Sequence, residues 1–445
     1  MRNLLTRLTS HRLGRNLTAH VFNQIVTITI QLATIPILIK AWGVQTYGAW
    51  LVLTAIPQYL AFADLGFTTI AKNEIARLAV GGNKSDALSV FQSIFWMLTV
   101  AGGALLLATG VILHFLPIGG VFSIGPLSDG QARIILLSQI AGVVAYQFFY
   151  LFCAGIRSEG YPATETTLAA LLRASETMVL LSCALEGINV AAAAFASVLV
   201  RIIATLLLPL WLMRIAPWLH IGLSNASFVW IRRLFFPSLT YTLVPLTTAF
   251  VLQGPIIILG ANATAVEVAL YSTARTVTRI GVAGANLVTQ AFLPEYSFAR
   301  GRRDSARTIR LIRMQVLILT AGMLAYVCTL VWFGPEVIHI LSHSQLQTSG
   351  WLLLFLAAAA IAEMVWSSLF GVLTVMNAHS QSALWYVLIV GIGAVSALVL
   401  RLSAAEPLAG LIAVVQIVIV LAIAREFVAF CTNILGRPQI AIDAS

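Results

Sequence analysis

Residues 42–86 read WGVQTYGAWLVLTAIPQYLAFADLGFTTIAKNEIARLAVGGNKSD. A turn at Trp42 and Gly43 leads into an apolar run that carries Asp64, and a polar, basic segment follows from Lys72. This order is typical of a membrane helix that emerges into a positively charged cytoplasmic elbow. Because a charge costs at least ~2.5 kcal/mol at the centre of a membrane helix, we expect Asp64 to face protein, water or the interface.

The composition extends this interpretation to the whole chain. Of its 445 residues, 60% are hydrophobic and only 9% are charged, whereas soluble domains average about 25% charged residues. The apolar runs reach the ~20 residues that a helix needs to cross hydrocarbon. The sequence therefore predicts an all-α membrane protein. Its net charge of +10 lies mainly at the ends of the apolar runs, which argues against nucleic acid as a partner.

About twelve membrane spans are predicted, each bounded by Gly, Pro or charged residues. They are 17–40, 45–70, 90–115, 132–156, 163–184, 191–213, 237–260, 265–293, 313–333, 351–376, 382–401 and 407–430. A weak repeat about 219 residues apart pairs Gly82 with Gly301 and Lys84 with Arg303. Since six spans separate the copies, we expect two six-helix lobes related by a pseudo-two-fold axis, with a substrate cleft between them.

The distribution of Lys and Arg predicts the orientation of these spans. Nineteen Lys and Arg residues lie on one side of the predicted membrane and three on the other. Cytoplasmic loops carry the excess of positive charge, so both termini are expected to be cytoplasmic. The predicted domains are a cytoplasmic basic arm at 1–16, an N-lobe at 17–213, a cytoplasmic amphipathic linker at 214–236, a C-lobe at 237–430 and a cytoplasmic tail at 431–445.

Span eight carries the most informative polar groups. Glu267, Tyr271, Arg275 and Arg279 follow one another at i+4. Two arginines one turn apart repel each other, and both are too costly to face lipid. Either they belong to an internal salt-bridge ladder with Glu267, or at least one lines an aqueous cavity. In a cavity it would meet an anionic ligand, since the planar fork of Arg suits phosphate.

Spans five and six carry a second group of charges. Arg173 and Glu176 stand at i+3 with Glu165 on the same arc, so a neutral Arg173–Glu176 pair is the favoured interpretation. Arg201 of span six is an alternative partner for Glu176 that would leave Arg173 available to a ligand. The sequence does not choose between these pairings.

Three carboxylates are candidates for ion coupling, namely Glu363, Asp64 and Glu176. Either Glu363 or Asp64 suits a protonation or Na⁺ site, although a capping or interfacial role is favoured for Asp64. Coupling to an H⁺ or Na⁺ gradient or to the membrane potential is therefore open.

Two other spans present uncharged polar groups. On span one, Asn23, Thr27, Gln31 and Thr34 form a stripe that suits either helix packing or a cavity compatible with sugars. Span seven contains Gln253 and three prolines that predict a bend or hinge, Pro237, Pro245 and Pro255.

Several kinds of chemistry have no motif in this chain. There is no P-loop, HExxH, GxSxG or metal-ligand spacing, so ATP is not expected as a direct energy source and no cofactor or metal is expected. Four scattered cysteines in apolar runs indicate neither a disulfide framework nor a metal site.

Residues 16–86 resemble bacterial polysaccharide and O-antigen flippases of the multidrug/oligosaccharidyl-lipid/polysaccharide exporter superfamily. The resemblance is carried by four features, which are the polar span Gln24–Thr34, the turn Trp42-Gly43-Val44-x-x-Tyr47-Gly48-x-Trp50, the step Asp64-Leu65-Gly66-Phe67 and the elbow Asn73-Glu74 with its Gly-Gly-Asn-Lys. The second half of the chain matches more loosely.

This resemblance implies two six-helix bundles arranged in a V around a central cavity. It implies a flippase of the inner membrane that moves undecaprenyl-diphosphate-linked oligosaccharide from the inner to the outer leaflet by alternating access. Expected partners are this lipid-linked oligosaccharide, membrane lipid and the polysaccharide polymerase machinery. Superfamily members use a cationic cavity, and Arg275 and Arg279 match it best. The other candidates for substrate binding are Arg173, Arg201, Asn23, Thr27, Gln31, Gln253 and Tyr271.

Other functions are weaker alternatives. A multidrug cation antiporter of the same fold would favour acidic and aromatic cavity groups, whereas the deep charges here are mostly Arg. A lipid II flippase is disfavoured because span one lacks the additional arginines of that group. A membrane-embedded glycosyltransferase or polymerase usually needs a large external loop, and the external loops predicted here are short.

Overall fold

The computed structural model describes residues 2–60, 66–301, 304–376 and 378–435. Across these residues the regular structure is α-helical and contains no strand. The predicted all-α class is therefore confirmed. Asp64 lies outside the described ranges, so the predictions made for it concern a residue that the structure does not describe.

Fourteen helices account for most of the described chain. They are α1 (Arg2–Leu60), α2 (Phe67–Val80), α3 (Lys84–Phe115), α4 (Ile118–Val121), α5 (Asp129–Ser158), α6 (Pro162–Leu185), α7 (Val190–Ile215), α8 (Phe228–Asn262), α9 (Ala265–Thr278), α10 (Ile280–Gly301), α11 (Ser305–Leu341), α12 (Gly350–Val375), α13 (Ser380–Val399) and α14 (Ala405–Leu435).

Side-chain caps explain where several of these helices begin. The Asn83 side chain accepts a hydrogen bond from the Asp86 amide at 3.1 Å and starts α3, which gives the Gly-Gly-Asn-Lys segment a structural role. Ser128 and Gln131 form a reciprocal capping box at the start of α5. Each cap supplies an acceptor or donor to backbone groups that lack a partner within the helix.

Ten helical segments among the described residues are long and apolar enough to cross a membrane. Two local features relate these ten to the twelve predicted spans. Predicted span one and the first part of predicted span two, up to Leu60, lie within α1, which kinks at Gly43, where φ is 78° and ψ is 161°. Predicted span eight is divided into α9 and α10, which meet at Arg279. About twelve spans are therefore consistent with the structure.

The chain divides into two compact units, Met1–Ala269 and Leu270–Ser445. The division falls within α9, beyond the predicted linker at 214–236, because α8 packs against α1, α2 and α3 in the first unit. The first unit also contains the packed group of α2, α3, α5 and α7. The second unit is built mainly from the pairs α12–α14, α10–α12, α10–α11 and α13–α14.

Gly48, in the stretch quoted first, marks a close helix contact within the first unit. A Cβ atom at this position would lie 1.8 Å from the carbonyl oxygen of Ala265, at the start of α9. Only glycine permits this approach without moving one backbone. The Tyr47-Gly48-x-Trp50 motif therefore has a packing function.

The amphipathic residues of the predicted linker form the first turns of α8. The segment before them is held by Gln92 of α3, which is fully buried. Its side chain accepts from the Asn225 amide at 2.9 Å and donates to the His220 carbonyl at 3.2 Å. The three prolines of predicted span seven, Pro237, Pro245 and Pro255, all lie inside α8, which remains one helix from Phe228 to Asn262.

Candidate functional site

In the first unit, a salt bridge joins α7 to α6. Arg201 donates through Nε to Oε1 of Glu176 at 2.7 Å and through Nη2 to Oε2 at 2.5 Å. The side chains are only 19% and 10% exposed. The planar fork of Arg201 matches both carboxylate oxygens. The favoured pairing of Arg173 with Glu176 is therefore wrong, and the alternative in which Arg201 takes Glu176 is confirmed.

Arg173 has a neutral partner instead. Its Nη2 donates to Oδ1 of Asn23, on the part of α1 that packs along α6. Its Nε is buried without a hydrogen-bond partner, and no carboxylate of the described chain forms an ion pair with it. Arg173 thus brings a positive charge to α6 that these contacts do not neutralise.

The polar stripe on α1 divides into different environments. Asn23 meets Arg173, and the Thr27 hydroxyl donates to the Asn23 carbonyl at 2.8 Å within its own helix. Gln31 is exposed. The Thr34 hydroxyl is buried without a hydrogen-bond partner. The stripe therefore combines one contact between helices, from Asn23 to Arg173, with an exposed amide at Gln31.

A chain of polar contacts extends from this cluster to the elbow helix α2. The Arg201 guanidinium lies 5.1 Å from the ring centroid of Tyr146, and the Tyr146 and Tyr150 hydroxyls are 2.9 Å apart. The ammonium of Lys72 lies 5.1 Å from the Tyr150 ring centroid and forms a hydrogen-bonded ion pair with Glu165. Buried polar groups thus connect α2, α5, α6 and α7.

The pair of Lys72 and Glu165 is not predicted by the sequence pattern. The sequence places Lys72 among the charges of the elbow, whereas its side chain is only 11% exposed. A signal was present, because Lys72 lies one turn after the buried Thr68 and beside the buried Ala71 on the packed face of α2. A charge on the buried face of an amphipathic helix requires a partner.

The outer face of α2 carries an ordinary surface pair. Arg77 donates to both oxygens of Glu74, at 2.8 and 2.6 Å. These hydrogen bonds lower the pKa of the Glu74 carboxyl below its ordinary value. Arg77 is exposed, so this pair adds little to stability.

The second unit contains its own cluster at the junction of α9 and α10. Arg279 donates through Nη1 to Oε2 of Glu363 at 2.5 Å and through Nη2 to Oε1 at 2.8 Å. Their side chains are 29% and 14% exposed. The sequence indicated both residues as site candidates but did not pair them, because α12 lies far along the chain.

Arg275 and Tyr271 lie one and two turns before Arg279 on α9. The Arg275 guanidinium is 5.4 Å from the Tyr271 ring centroid, and Tyr271 is only 1% exposed. Arg275, Arg279 and Glu363 together carry two positive charges and one negative charge. Glu267 lies in the first turn of α9, where a carboxylate is favoured by the helix dipole.

Gln253 belongs to a separate contact between α8 and α1. Its side chain hydrogen bonds to that of Gln58, and the neighbouring Tyr59 hydroxyl donates to the Phe250 carbonyl at 3.3 Å. The structure therefore does not join Gln253 to either arginine cluster. No group of three or more His, Cys, Asp or Glu side chains suited to a metal occurs among the described residues.

Solved structures share this fold over nearly the whole chain. An inward-facing multidrug resistance MATE family transporter of the MOP superfamily gives a TM-score of 0.72 at 16% identity, covering 92% of this chain and 95% of that one. The lipid II flippase MurJ, in an inward closed conformation, gives 0.67 at 10% identity, covering 94% and 90%. A MOP superfamily transporter from Pyrococcus furiosus gives 0.58 at 16% identity over 95% of each chain.

No family model matches the chain, and no curated protein matches it in sequence. At identities of 10 to 16% the likeness is one of fold. It supports the predicted fold class, and the chain is a multi-pass helical membrane protein with the fold of MOP superfamily transporters.

Proposed function

We propose that this protein is a flippase for an undecaprenyl-diphosphate-linked oligosaccharide, the repeat unit of an O-antigen or another surface polysaccharide. It carries this lipid from the inner to the outer leaflet of the bacterial inner membrane by alternating access, with both termini in the cytoplasm. The observation that carries the proposal is Arg173, a guanidinium on a membrane helix whose hydrogen-bond partner is the neutral side chain of Asn23.

The electrostatic cost of Arg173 favours an anionic ligand. A charged Arg at the centre of a membrane helix costs ~2.5–3.5 kcal/mol on insertion scales, and the nearest carboxylate along α6, Glu176, is engaged by Arg201. A diphosphate would balance the charge on Arg173, and phosphate oxygens match the donor fork of Arg. Asn23 and the exposed Gln31 provide amides suited to the sugar.

The cluster of the second unit supports the same ligand class. Arg275 and Arg279 bring two guanidinium groups to one carboxylate, Glu363. If Arg279 turns to the phosphate, Glu363 becomes available for H⁺ or Na⁺, and the same exchange applies to Glu176 and Arg201. This exchange is our proposed route of coupling to an ion gradient or to the membrane potential. The polysaccharide polymerase machinery is the proposed downstream partner.

Two transporters of the same fold are the competing functions. The MATE structure is titled a multidrug resistance transporter and the MurJ structure a lipid II flippase. In both clusters the Arg and Lys side chains outnumber the carboxylates, which disfavours a cationic drug. Lipid II also carries a polyprenyl diphosphate, so it differs from our substrate in the headgroup attached to that diphosphate. A membrane-embedded glycosyltransferase or polymerase has no support from this fold.

Lipid-linked oligosaccharide in a deletion strain tests the proposal. Loss of the protein should leave undecaprenyl-linked repeat units facing the cytoplasm and should abolish the surface polymer. The matched comparison is the strain complemented with the intact gene. Normal surface polymer in a deletion strain without a redundant transporter would reject the proposal, and arrest of growth with accumulated lipid II would favour the MurJ-like function.

A further inference from the structure

In the first unit, the second half of α1 packs closely against the end of α8 and the first residue of α9. A Cβ atom at Gly260 would lie 2.6 Å from both methyl carbons of Val52 and 3.2 Å from its Cβ atom. One turn away, Gly48 meets Ala265, so the two chain segments run antiparallel. Val52 is fully buried and Ala265 is 3% exposed. We call these four residues, Gly48, Val52, Gly260 and Ala265, the α1–α8 seam.

The loop between α3 and α5 covers one end of the seam. The Ser123 amide donates to the Gly260 carbonyl at 2.7 Å, and a Cβ atom at Gly125 would lie 3.2 Å from the Gln45 carbonyl oxygen. The loop is anchored to α5, because the Asp129 side chain accepts a hydrogen bond from an amide of α4 at 2.8 Å. With both termini in the cytoplasm, as proposed, this covered end of the seam is external.

The other end of the seam is polar. The side chains of Gln58 and Gln253 hydrogen bond to each other, and the Tyr59 hydroxyl donates to the Phe250 carbonyl at 3.3 Å. Gln58 is exposed, although it lies near the middle of predicted span two. An amide is costly in hydrocarbon unless all its hydrogen bonds are satisfied, so this end of the seam suits water. The two helices therefore close tightly at the external end and open toward the membrane centre.

Each helix carries a proline at the inner end of the seam. Pro57 of α1 and Pro255 of α8 each lie within two residues of the glutamine on their own helix. A proline inside a helix removes one backbone hydrogen bond and is a common site of bending. At the external end, α1 is interrupted by the non-helical backbone of Gly43. The segments 44–56 and 256–265 are thus bounded by points at which the helices bend most readily.

We infer that the α1–α8 seam is the external closure of the transport path, and that it opens when the segments beyond Pro57 and Pro255 move apart. The inference rests on the proposed function and adds the place where the path is closed in this structure. The seam is built from Gly, Val, Gly and Ala, so its separation exposes little apolar surface and costs little free energy. The loop contact from Ser123 to Gly260 must be released at the same time.

A disulfide across the seam tests this inference. Val52→Cys/Gly260→Cys, in a background without the four native cysteines, places two Cβ atoms 3.2 Å apart, close to the about 3.5–4.5 Å that a disulfide spans. Oxidation should lower flipping of undecaprenyl-diphosphate-linked oligosaccharide by the reconstituted protein at least tenfold, and reduction should restore it. The matched control, Gly102→Cys/Val144→Cys, joins α3 to α5 with Cβ atoms 3.7 Å apart. It should flip equally well when oxidised and when reduced.

Labelling from outside gives a second readout that needs no substrate. Because Val52 is fully buried in the seam, an impermeant thiol reagent should reach the single variant Val52→Cys in intact cells only when the seam opens. Ala132→Cys is the matched control. Ala132 is also fully buried, but it lies near the start of α5 and away from the seam, so this variant should stay unlabelled.

Either of two results would overturn the inference. They are undiminished flipping by the oxidised Val52→Cys/Gly260→Cys protein, and labelling of Val52→Cys no faster than that of Ala132→Cys. The two readouts separate this inference from the proposed function. If the unmodified protein flips the lipid-linked oligosaccharide but both seam experiments are negative, only the closure is wrong. If Val52→Cys is labelled from outside but the unmodified protein flips no oligosaccharide, only the proposed function is wrong.

Discussion

Arg279 and Glu363 face each other through two parallel hydrogen bonds of 2.5 and 2.8 Å, 84 residues apart in the chain. Breaking such a pair leaves one charge in a poorly solvated environment. We expect Arg279→Ala or Glu363→Ala to lower the free energy of unfolding by ~3 kcal/mol, the low end for buried pairs because Arg279 is partly exposed. The exchanged pair Arg279→Glu/Glu363→Arg should recover most of that loss, measured as thermal stability in detergent.

The exchanged pair also separates structure from ligand binding. If Arg279 contacts phosphate, stability should return while surface polymer stays absent, because the position of the positive charge has moved. Surface polymer at the normal level in the exchanged variant would show that Arg279 is an internal partner only.

In the first unit, alanine variants of Arg173 and Arg201 are predicted to behave differently. Arg173→Ala should leave protein abundance nearly unchanged and abolish or strongly reduce flipping, because its partner Asn23 is neutral. Arg173→Lys should rescue only in part, since it keeps the charge but loses the fork. Arg201→Ala should instead lower abundance, because breaking a buried pair costs ~3–5 kcal/mol and leaves Glu176 unpaired. Equal losses of abundance in both Ala variants would contradict this assignment.

The buried pair of Lys72 and Glu165 predicts a pattern typical of a structural ion pair. Either single Ala variant should lower the melting temperature, whereas Lys72→Met/Glu165→Leu should restore much of it, since apolar replacement of both partners removes the unpaired charge. Arg77→Ala on the exposed face of α2 is the control and should leave the melting temperature nearly unchanged, because exposed ion pairs add little to stability. A double variant less stable than both single variants would refute a purely structural role.

Gly48→Ala tests the helix contact at Ala265. The added methyl group would lie 1.8 Å from a backbone oxygen, and overpacking of this kind costs ~1–3 kcal/mol. Abundance should therefore fall. Gly103→Ala, on the exposed side of α3 with nothing within 4 Å of the new Cβ, should be neutral or slightly stabilising. Equal behaviour of the two variants would argue against the close contact.

The orientation of the chain is tested by labelling single cysteines. Ser85→Cys and Ser305→Cys, each in a background without the four native cysteines, should react with an impermeant reagent only after the cells are opened. The reason is the excess of Lys and Arg around both elbows. Efficient labelling of either position in intact cells would invert the predicted topology.

The sequence was sufficient to predict the helices, but not the contacts between them. Hydropathy located most of the spans because a membrane helix is a continuous apolar segment, but it did not reveal the break of predicted span eight at Arg279. The pairing of Arg173 was predicted wrongly because i+3 spacing describes neighbours on one helix, whereas Asn23 and Arg173 are 150 residues apart. Lys72 and Glu165 are similarly separated by 93 residues. The residues that carry charge could be predicted, but their partners depend on packing between helices.

The junction between α9 and α10 has a consequence for how motion reaches the charged residues. The Tyr326 hydroxyl of α11 donates to the Thr278 carbonyl at 2.6 Å, immediately before Arg279. Thr278, the last residue of α9, is thus bonded to α11, and the next residue, Arg279, is bonded to Glu363 of α12. Two consecutive residues therefore connect three helices. A sideways shift of α11 by about one hydrogen-bond length, ~3 Å, would have to break the Tyr326–Thr278 hydrogen bond or change the hydrogen bonds between Arg279 and Glu363.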